Sequence, residues 1–471
     1  MFKIPTLLTI VLMVHADASG SSRQATGVKV GEVTQNSAIV LLRLTAQAER
    51  RADGIVRKGR PTAPLPPGIS VDQLEGSCPG APGRVRLSYG MRENLDDAAT
   101  TDWVDVSAAN DYSHQFRLTD LKPHTRYHYA AETTGPGGTP KHDPLRGSFR
   151  TAPPADLDAD VAFTVVTGQA YRDMDHTDGF HIYEAMARLE PHFIVPTGDT
   201  VYYDSEDPRA TTVALARYHW HRMYSFPRHV AFHLRVPGYW EKDDHDTLMD
   251  DSWPTKNARK MYPLTWEKGL RLFREQVPMG EKTYRTVRWG KRLQVWMVEG
   301  RDFRSSNQMP DGPAKTIWGA QQKRWLKETL LASDADFKVL ISPTPIVGPD
   351  RPTKADNHSN SAFAHEGDEF RRWAQKNLPE RFFIACGDRH WQYHSVHPET
   401  GVHEFSCGPA SDEHAAGTPG DNMAYHRFHR VKGGFLSVSV FDEQGMSTIA
   451  LRHHDVHGKV VNEYKRSRPA R

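Results

Sequence analysis

Residues 161–204 read VAFTVVTGQAYRDMDHTDGFHIYEAMARLEPHFIVPTGDTVYYD, with apolar runs at 161–166 and 193–196 on either side of a helical pattern at 178–189. The order strand, helix, strand predicts an α/β sheet whose faces are covered by helices. Ligands of such sheets bind outside the carboxyl ends of the strands, so the polar residues that follow each run are candidate site residues. The alternation continues with strands predicted at 293–298, 337–341 and 381–385 and helices predicted at 320–331 and 366–378.

The N-terminal region has a different rhythm. Short period-2 or apolar runs, separated by Gly, Pro and Asp, predict an all-β sandwich over residues 24–153. The α/β domain is predicted at 159–455, after a proline-bearing linker, and residues 456–471 are predicted to form a C-terminal tail. The sandwich strands are predicted at 38–42, 85–89, 114–118 and 127–130.

Composition excludes several classes of protein. The 471-residue chain is 38% hydrophobic and 25% charged, which argues against a membrane bundle and against wholesale disorder. Its net charge of +2 gives no electrostatic signature for nucleic acid. Three cysteines are too few for a disulfide scaffold, although Cys386 and Cys407 fall on neighbouring predicted strands and their pairing stays open.

The N-terminus has the features of an export signal. Lys3 is followed by a short apolar run at 7–14 and by the small-x-small sequence at 16–18, which predicts a signal peptide at residues 1–18. No later stretch approaches the roughly 18 consecutive apolar residues of a membrane span. We therefore expect a secreted or periplasmic protein.

Polar clusters follow four apolar runs that are interpreted as strands, at 161–166, 193–196, 235–240 and 382–386. Asp and neutral His are the oxygen and nitrogen ligands that hard or borderline cations prefer, and a preceding Gly allows the tight turn that presents them. Each cluster alone has a plainer interpretation as a turn, a helix cap or a solvated acidic face. Four in succession favour a metal site. They are Thr167-Gly168-Gln169, residues 198–204, residues 243–246 and residues 387–390. A fifth polar segment, 354–360, is interpreted as a surface loop.

Three of these clusters resemble the signature of a known family. Gly-Asp-x-x-Tyr at 198–202, Asp-Asp-His-Asp at 243–246 and Gly-Asp-Arg-His-Trp at 387–391 are similar to motifs of the alkaline phosphatase D (PhoD-like) family of calcineurin-like metallophosphoesterases, which are related to purple acid phosphatases. Residues 299–304 and 319–326 give supporting matches. The resemblance implies a fibronectin type III-like sandwich followed by a four-layer α/β/β/α metallophosphoesterase domain.

The resemblance also implies roles for single residues. Fe³⁺ and Ca²⁺ are the implied cofactors, small phosphate monoesters or diesters are the implied substrates, and a metal-bound hydroxide attacks phosphorus. The metal ligands would be Asp199, Tyr202, Asp244, Asp388 and His390. His245 and Arg301 are the candidate catalytic residues, and Arg304 and Gln169 the candidate substrate-binding residues. The two arginines match phosphate by the fork geometry of guanidinium, with an ion pair to an acid such as Asp302 as the alternative.

Gly168 departs from the family pattern. The family commonly has a cysteine ligand at this position, so the identity of the metal is less firmly implied than metal dependence. Two alternatives to a phosphatase therefore remain: a phosphodiesterase of the phospholipase type, and a secreted binding protein that has lost turnover. A Gly-x-Ser-x-Gly nucleophile elbow is absent from the sequence, which disfavours a serine hydrolase.

Overall fold

The computed structural model describes residues 23–57, 59–62, 64–138 and 142–469, so the predicted signal peptide lies outside the described residues. The strands are β1 (Lys29–Gly31), β2 (Ala38–Arg43), β3 (Gly83–Gly90), β4 (Ala99–Thr100), β5 (Val104–Val106), β6 (Ser113–Leu118), β7 (Arg126–Thr134), β8 (Leu145–Arg150), β9 (Val161–Val166), β10 (Phe193–Pro196), β11 (Arg285–Trp289), β12 (Leu293–Met297), β13 (Phe337–Ser342), β14 (Phe382–Cys386), β15 (Gln392–Val396), β16 (His403–Cys407), β17 (His426–Arg430), β18 (Phe435–Glu443), β19 (Met446–His454) and β20 (Val460–Pro469). The α-helices are α1 (His181–Ala187), α2 (Val213–Tyr224), α3 (Pro227–His233), α4 (Trp266–Gln276), α5 (Gly319–Ala332) and α6 (Ala364–Asn377).

The N-terminal domain is the predicted β-sandwich. One sheet has the order β1-β2-β6, and the other has the order β4-β3-β7-β8 with β5 paired to β3. Alternate residues of these strands face a shared core, which includes Val40, Leu87 and Tyr129. Both sheets are antiparallel throughout, as short period-2 runs joined by turns require.

The second domain consists of two packed sheets with helices on both outer faces. The sheets have the orders β10-β9-β18-β19-β20 and β11-β12-β13-β14-β16-β15-β17. Val165 of one sheet and Val339 of the other lie in the same buried cluster between them. Helices α1 to α4 pack outside the first sheet, and α5 and α6 outside the second. The expected four-layer α/β/β/α fold is therefore confirmed.

The strands that lead to the site are apolar on both faces, because one face packs against the other sheet and the opposite face packs against helices. In β13, Val339 and Ile341 pack between the sheets, whereas Leu340 packs against α5 and α6. Strands β12, β13, β14 and β16 run parallel to one another, as do β9 and β10, so their carboxyl ends meet along one edge. None of the described helices is long and apolar enough to cross a membrane.

Three local expectations are corrected by the structure. The predicted tail at 456–471 contains β20, which pairs with β19 through its whole length because edge pairing satisfies its backbone groups. The apolar run before Asp243 forms only isolated bridges at Gly238 and Glu241, since Pro237 has no N–H to donate to a ladder. The predicted helix at 178–189 is confined to α1, after a turn at Gly179.

Cys386 and Cys407 do not form a disulfide. Their strands are neighbours, but the register pairs Cys386 with Ser406, one residue away from Cys407. Successive side chains of a strand point to opposite faces, so the two thiols lie on opposite sides of the sheet. Cys386 packs with Trp391 and Tyr393, whereas Cys407 lies in the core between the sheets.

Candidate metal centre

The turn after β10 brings Asp199 against the Asp243 loop. Gly198 has a φ of +91°, and a β-carbon at this position would lie 2.4 Å from the Asp243 nitrogen and 2.5 Å from the Asp243 β-carbon. Only glycine combines this backbone conformation with so close an approach. Asp199 itself has a φ of +51°, which turns its carboxylate back toward the carboxyl end of the sheet.

Two groups of candidate ligands share Asp199. One contains Asp199, Asp244 and His245, and the other contains Asp199, Asp243 and Asp388; in each, one ligand atom per residue lies within 4.8 Å of the others. Asp199 Oδ1 and Asp243 Oδ2 are buried and have no hydrogen-bond partner among the described residues. Buried carboxylate oxygens without partners are costly, and cations satisfy them. The donor set therefore fits a bound cation.

The pKa values of these carboxyls reflect burial first and the neighbouring charges second. Burial, together with the neighbouring Asp244 and Asp246 carboxylates, raises the pKa of Asp199 to about 7. Burial raises the pKa of Asp243 to about 8 in spite of the Arg301 guanidinium beside it. Burial acts in the same direction on Asp244, but there Arg301 and His245 outweigh it and hold the pKa below its ordinary value. A cation among these groups removes the mutual repulsion.

Tyr202 occupies the other side of Asp199. Its hydroxyl lies 3.3 Å from Asp199 Oδ2 and 3.3 Å from His390 Nε2, so three predicted ligands meet here. A further imidazole that the sequence reasoning missed, His414, places its Nε2 2.9 Å from the same hydroxyl. His414 belongs to no short motif. The one signal that the sequence offers is its position in the polar loop that follows β16, a strand whose sequence is not apolar.

His245 is held at the partly open side of the centre. Its Nδ1 is 2.6 Å from Asp204 Oδ1, and its ring centroid is 4.5 Å from that of Tyr202. Burial lowers the pKa of His245, but the carboxylates of Asp244, Asp204 and Asp199 outweigh burial and raise this pKa well above its ordinary value. The carboxylates around it therefore favour the charged form of the imidazole in the metal-free protein.

Two residues that the sequence predicts to act on the substrate, Arg301 and Gln169, are fully buried. Arg301 is fully buried, and its Nε donates to Asp243 Oδ1 at 2.5 Å, while Asp302 pairs instead with Lys242 at 2.7 Å. Arg301 thus positions the acidic loop, an arrangement that does not favour direct contact with substrate. Gln169 is also fully buried, and its Oε1 accepts a 2.6 Å hydrogen bond from the Tyr183 hydroxyl.

Arg304 binds within the polar segment at 354–360. Its guanidinium donates to the Asp356 carbonyl at 2.7 Å and lies over the Phe363 ring. Asp356 itself is buried, and Lys354 pairs with Asp251 at 3.0 Å. The interpretation of 354–360 as a surface loop was therefore wrong, because pairing with buried charges next to the centre stabilises it inside the domain.

The comparisons with known proteins agree with this geometry. The sequence profile described as PhoD-like phosphatase matches residues 163–460, and the profile of the PhoD-like phosphatase N-terminal domain matches residues 12–153. The solved structure of PhoD superposes with a TM-score of 0.72 at 15% identity, covering 95% of this chain and 90% of that one. Purple acid phosphatase PPD1 from yellow lupin (Lupinus luteus) seeds gives 0.60 at 13% identity, covering 94% and 74%. No curated protein matches the chain in sequence.

Proposed function

The chain belongs to the PhoD-like phosphatase family and is a phosphoester hydrolase, and we propose that it is exported and hydrolyses small phosphate esters with Fe³⁺ and Ca²⁺ bound at the centre described above. The observation that carries metal binding is the convergence of carboxylates around Asp199, among which Asp199 Oδ1 and Asp243 Oδ2 have no hydrogen-bond partner in the described residues. Export rests on the signal-like sequence at residues 1–18.

The proposed ligands divide between the two sides of Asp199. Tyr202 and His390 would hold one cation with Asp199, and Asp244 and Asp388 would complete the set. When bound, the two cations would polarise the phosphoryl group and activate water for attack on phosphorus. Phenolate and imidazole suit iron, whereas a purely carboxylate environment suits calcium.

His245 is the proposed proton donor. Asp204 holds its Nδ1, which leaves Nε2 directed away from that anchor with a proton available for the leaving oxygen. The Nε2 atom lies 4.0 Å from Asp250 Oδ1, so an acidic neighbour also favours the charged form. General acid catalysis matters most for esters whose leaving group is a poor one.

Phosphodiesters are the second candidate substrates. A cavity of about 860 Å³ lies between the domains, and its wall includes Tyr171, Arg172 and Asp173. Asp173 of this wall also contacts His414, which in turn contacts the Tyr202 hydroxyl. A space of this size accommodates an organic group on either side of a phosphate, which a diester requires.

The proposed function is tested by metal analysis and by turnover. Purified protein is expected to contain bound metal and to hydrolyse a nitrophenyl phosphomonoester, the corresponding bis-ester, or both, with loss of activity after chelation. Bound metal without turnover of either ester would indicate a binding protein. Protein that binds no metal yet hydrolyses the esters would contradict the proposed centre.

The role of His245 is tested with leaving groups of different basicity. His245→Gln is expected to slow an alkyl phosphate by about 10²–10⁴-fold and a nitrophenyl phosphate by much less, since nitrophenolate leaves without a proton. An equal loss on both esters would contradict proton donation and would indicate a binding role. Cell fractionation with N-terminal sequencing of the mature protein tests export.

A further inference from the structure

His414 is directed at the centre of the predicted ligand set. It is buried, its Nε2 lies 2.9 Å from the Tyr202 hydroxyl, and its ring centroid is 4.1 Å from that of His390. His390 Nε2 lies 3.3 Å from the same hydroxyl, and Asp199 Oδ2 lies 3.3 Å from it on a third side. One phenolic oxygen therefore has two imidazole nitrogens and one carboxylate oxygen within 3.3 Å of it.

A hydrogen-bond network alone does not account for this arrangement. The His414 Nδ1 lies 2.7 Å from Asp173 Oδ2, so the proton of the neutral imidazole is on Nδ1 and Nε2 presents a lone pair to the centre. A tyrosine hydroxyl has a single proton, so it can donate either to His414 Nε2 or to Asp199 Oδ2 and not to both. Among the described residues, Asp199 Oδ1 has no hydrogen-bond partner at all. A cation accepts lone pairs from all four groups at once.

The hydrogen bond from His414 to Asp173 is itself typical of a metal ligand. A ligating histidine usually donates its other ring N–H to a carboxylate or carbonyl, which fixes the ring and raises its basicity. His414 has this partner on the ring nitrogen remote from the Tyr202 hydroxyl, whereas the buried His229 has no hydrogen-bond partner on either ring nitrogen among the described residues. The orientation of His414 is therefore imposed from outside the centre, with its free nitrogen inward.

Gly168 makes room for the imidazole. It follows β9 with a φ of +58°, and a β-carbon there would lie 3.3 Å from His414 Cδ2 and 3.2 Å from the Pro409 β-carbon. The turn after β9 thus contributes no side chain to this side of the centre. The loop after β16 supplies His414 in that space.

We propose that His414 is a ligand of the metal held by Tyr202 and His390, and that Asp173 is its positioning residue. The ligand set of this cation is then a phenolate, two imidazoles and the Asp199 carboxylate, a mixture of nitrogen and oxygen donors that suits iron. The inference rests on the metal dependence in the proposed function, and adds a residue that none of the short motifs contains.

The test measures metal binding directly. Wild type, His414→Gln, His414→Ala and Asp173→Asn are prepared free of metal and titrated with Fe³⁺, and the phenolate-to-iron charge-transfer absorbance and the bound iron are recorded. His429→Gln is the matched control, because His429 is a partly buried histidine whose Nε2 binds the Thr418 hydroxyl at 2.7 Å. Circular dichroism of the metal-free proteins checks that each variant is folded.

The two proposals make separable predictions. His414→Gln and His414→Ala are expected to lose more than about tenfold in iron affinity and to shift the absorbance band, and Asp173→Asn to lose about 10–100-fold in affinity, as outer partners of ligands do. The control should match wild type. If wild type binds iron and both folded His414 variants bind it equally well with the same band, the inference is overturned and the proposed function stands. If wild type binds no metal, both are overturned.

Discussion

Substitution of Gly198 tests the close packing on which the centre depends. In Gly198→Ala the new β-carbon would lie 2.4 Å from the Asp243 nitrogen and 2.5 Å from the Asp243 β-carbon, and both are too close for the loop to stay where it is. Because backbone and not a flexible side-chain end is contacted, the Asp243 loop must move. Asp199 and Asp243 then separate, and the shared ligand group opens.

The magnitude has two parts. A left-handed φ costs alanine about 1–2 kcal/mol relative to glycine, and overpacking of this kind costs about 1–3 kcal/mol more. Gly445 is the matched control, since its φ is +80° and a β-carbon there would meet nothing within 4 Å. Gly445→Ala is therefore expected to lose about 1–2 kcal/mol in the free energy of unfolding, and Gly198→Ala about 2–5 kcal/mol.

The assay is urea unfolding of the metal-free proteins, followed by tryptophan fluorescence, together with bound metal and turnover of the folded proteins. Gly198→Ala is expected to lose bound metal and at least about 100-fold in kcat/KM, since a displacement near 1 Å has that effect on a positioned site. Gly445→Ala should retain both. Equal stability and equal metal content in the two variants would refute the packing argument.

Three further outcomes are expected. Asp199→Asn removes a carboxylate shared by both ligand groups and should lower metal content and reduce kcat/KM by more than about 100-fold, measured by elemental analysis and turnover; an unchanged rate would remove its bridging role. Arg301→Gln leaves Asp243 and Asp244 without their cation and should destabilise the metal-free protein by about 3–5 kcal/mol in urea, and the metal-loaded protein by less. Burial lowers the pKa of His453 from its ordinary 6.5 to about 3, so only the unfolded state takes up this proton between those values and stability falls as pH falls below 6.5. Between pH 7.5 and 5, the free energy of unfolding of His453→Gln should fall by about 2 kcal/mol less than that of wild type. Urea titrations that give both proteins the same dependence of this free energy on pH would contradict the prediction.

Much of the candidate site was predictable because its candidate ligands occur in short motifs. Asp199 and Tyr202 come within six residues of the end of β10, and Asp388 and His390 come within four residues of the end of β14, so parallel pairing places each motif at the carboxyl edge of its own sheet. The packing of the two sheets then brings the two edges together. The sequence predicts Arg301 as a catalytic residue, with an ion pair to an acid such as Asp302 as the alternative, and neither interpretation identifies its partner in the structure. Which acid an arginine meets depends on how a distant loop packs, and here the partner is Asp243 and not the adjacent Asp302.

The order of apolar and polar runs was enough to establish a sandwich followed by an α/β domain, because burial on one face or on both imposes a local pattern on each strand and helix. The same local chemistry indicated a cation site at the strand ends. Tertiary structure alone decided the position of His414 beside Tyr202 and the inclusion of 460–469 in a sheet. These contacts join residues remote in sequence, and nothing in the local pattern at either residue encodes the distance between them.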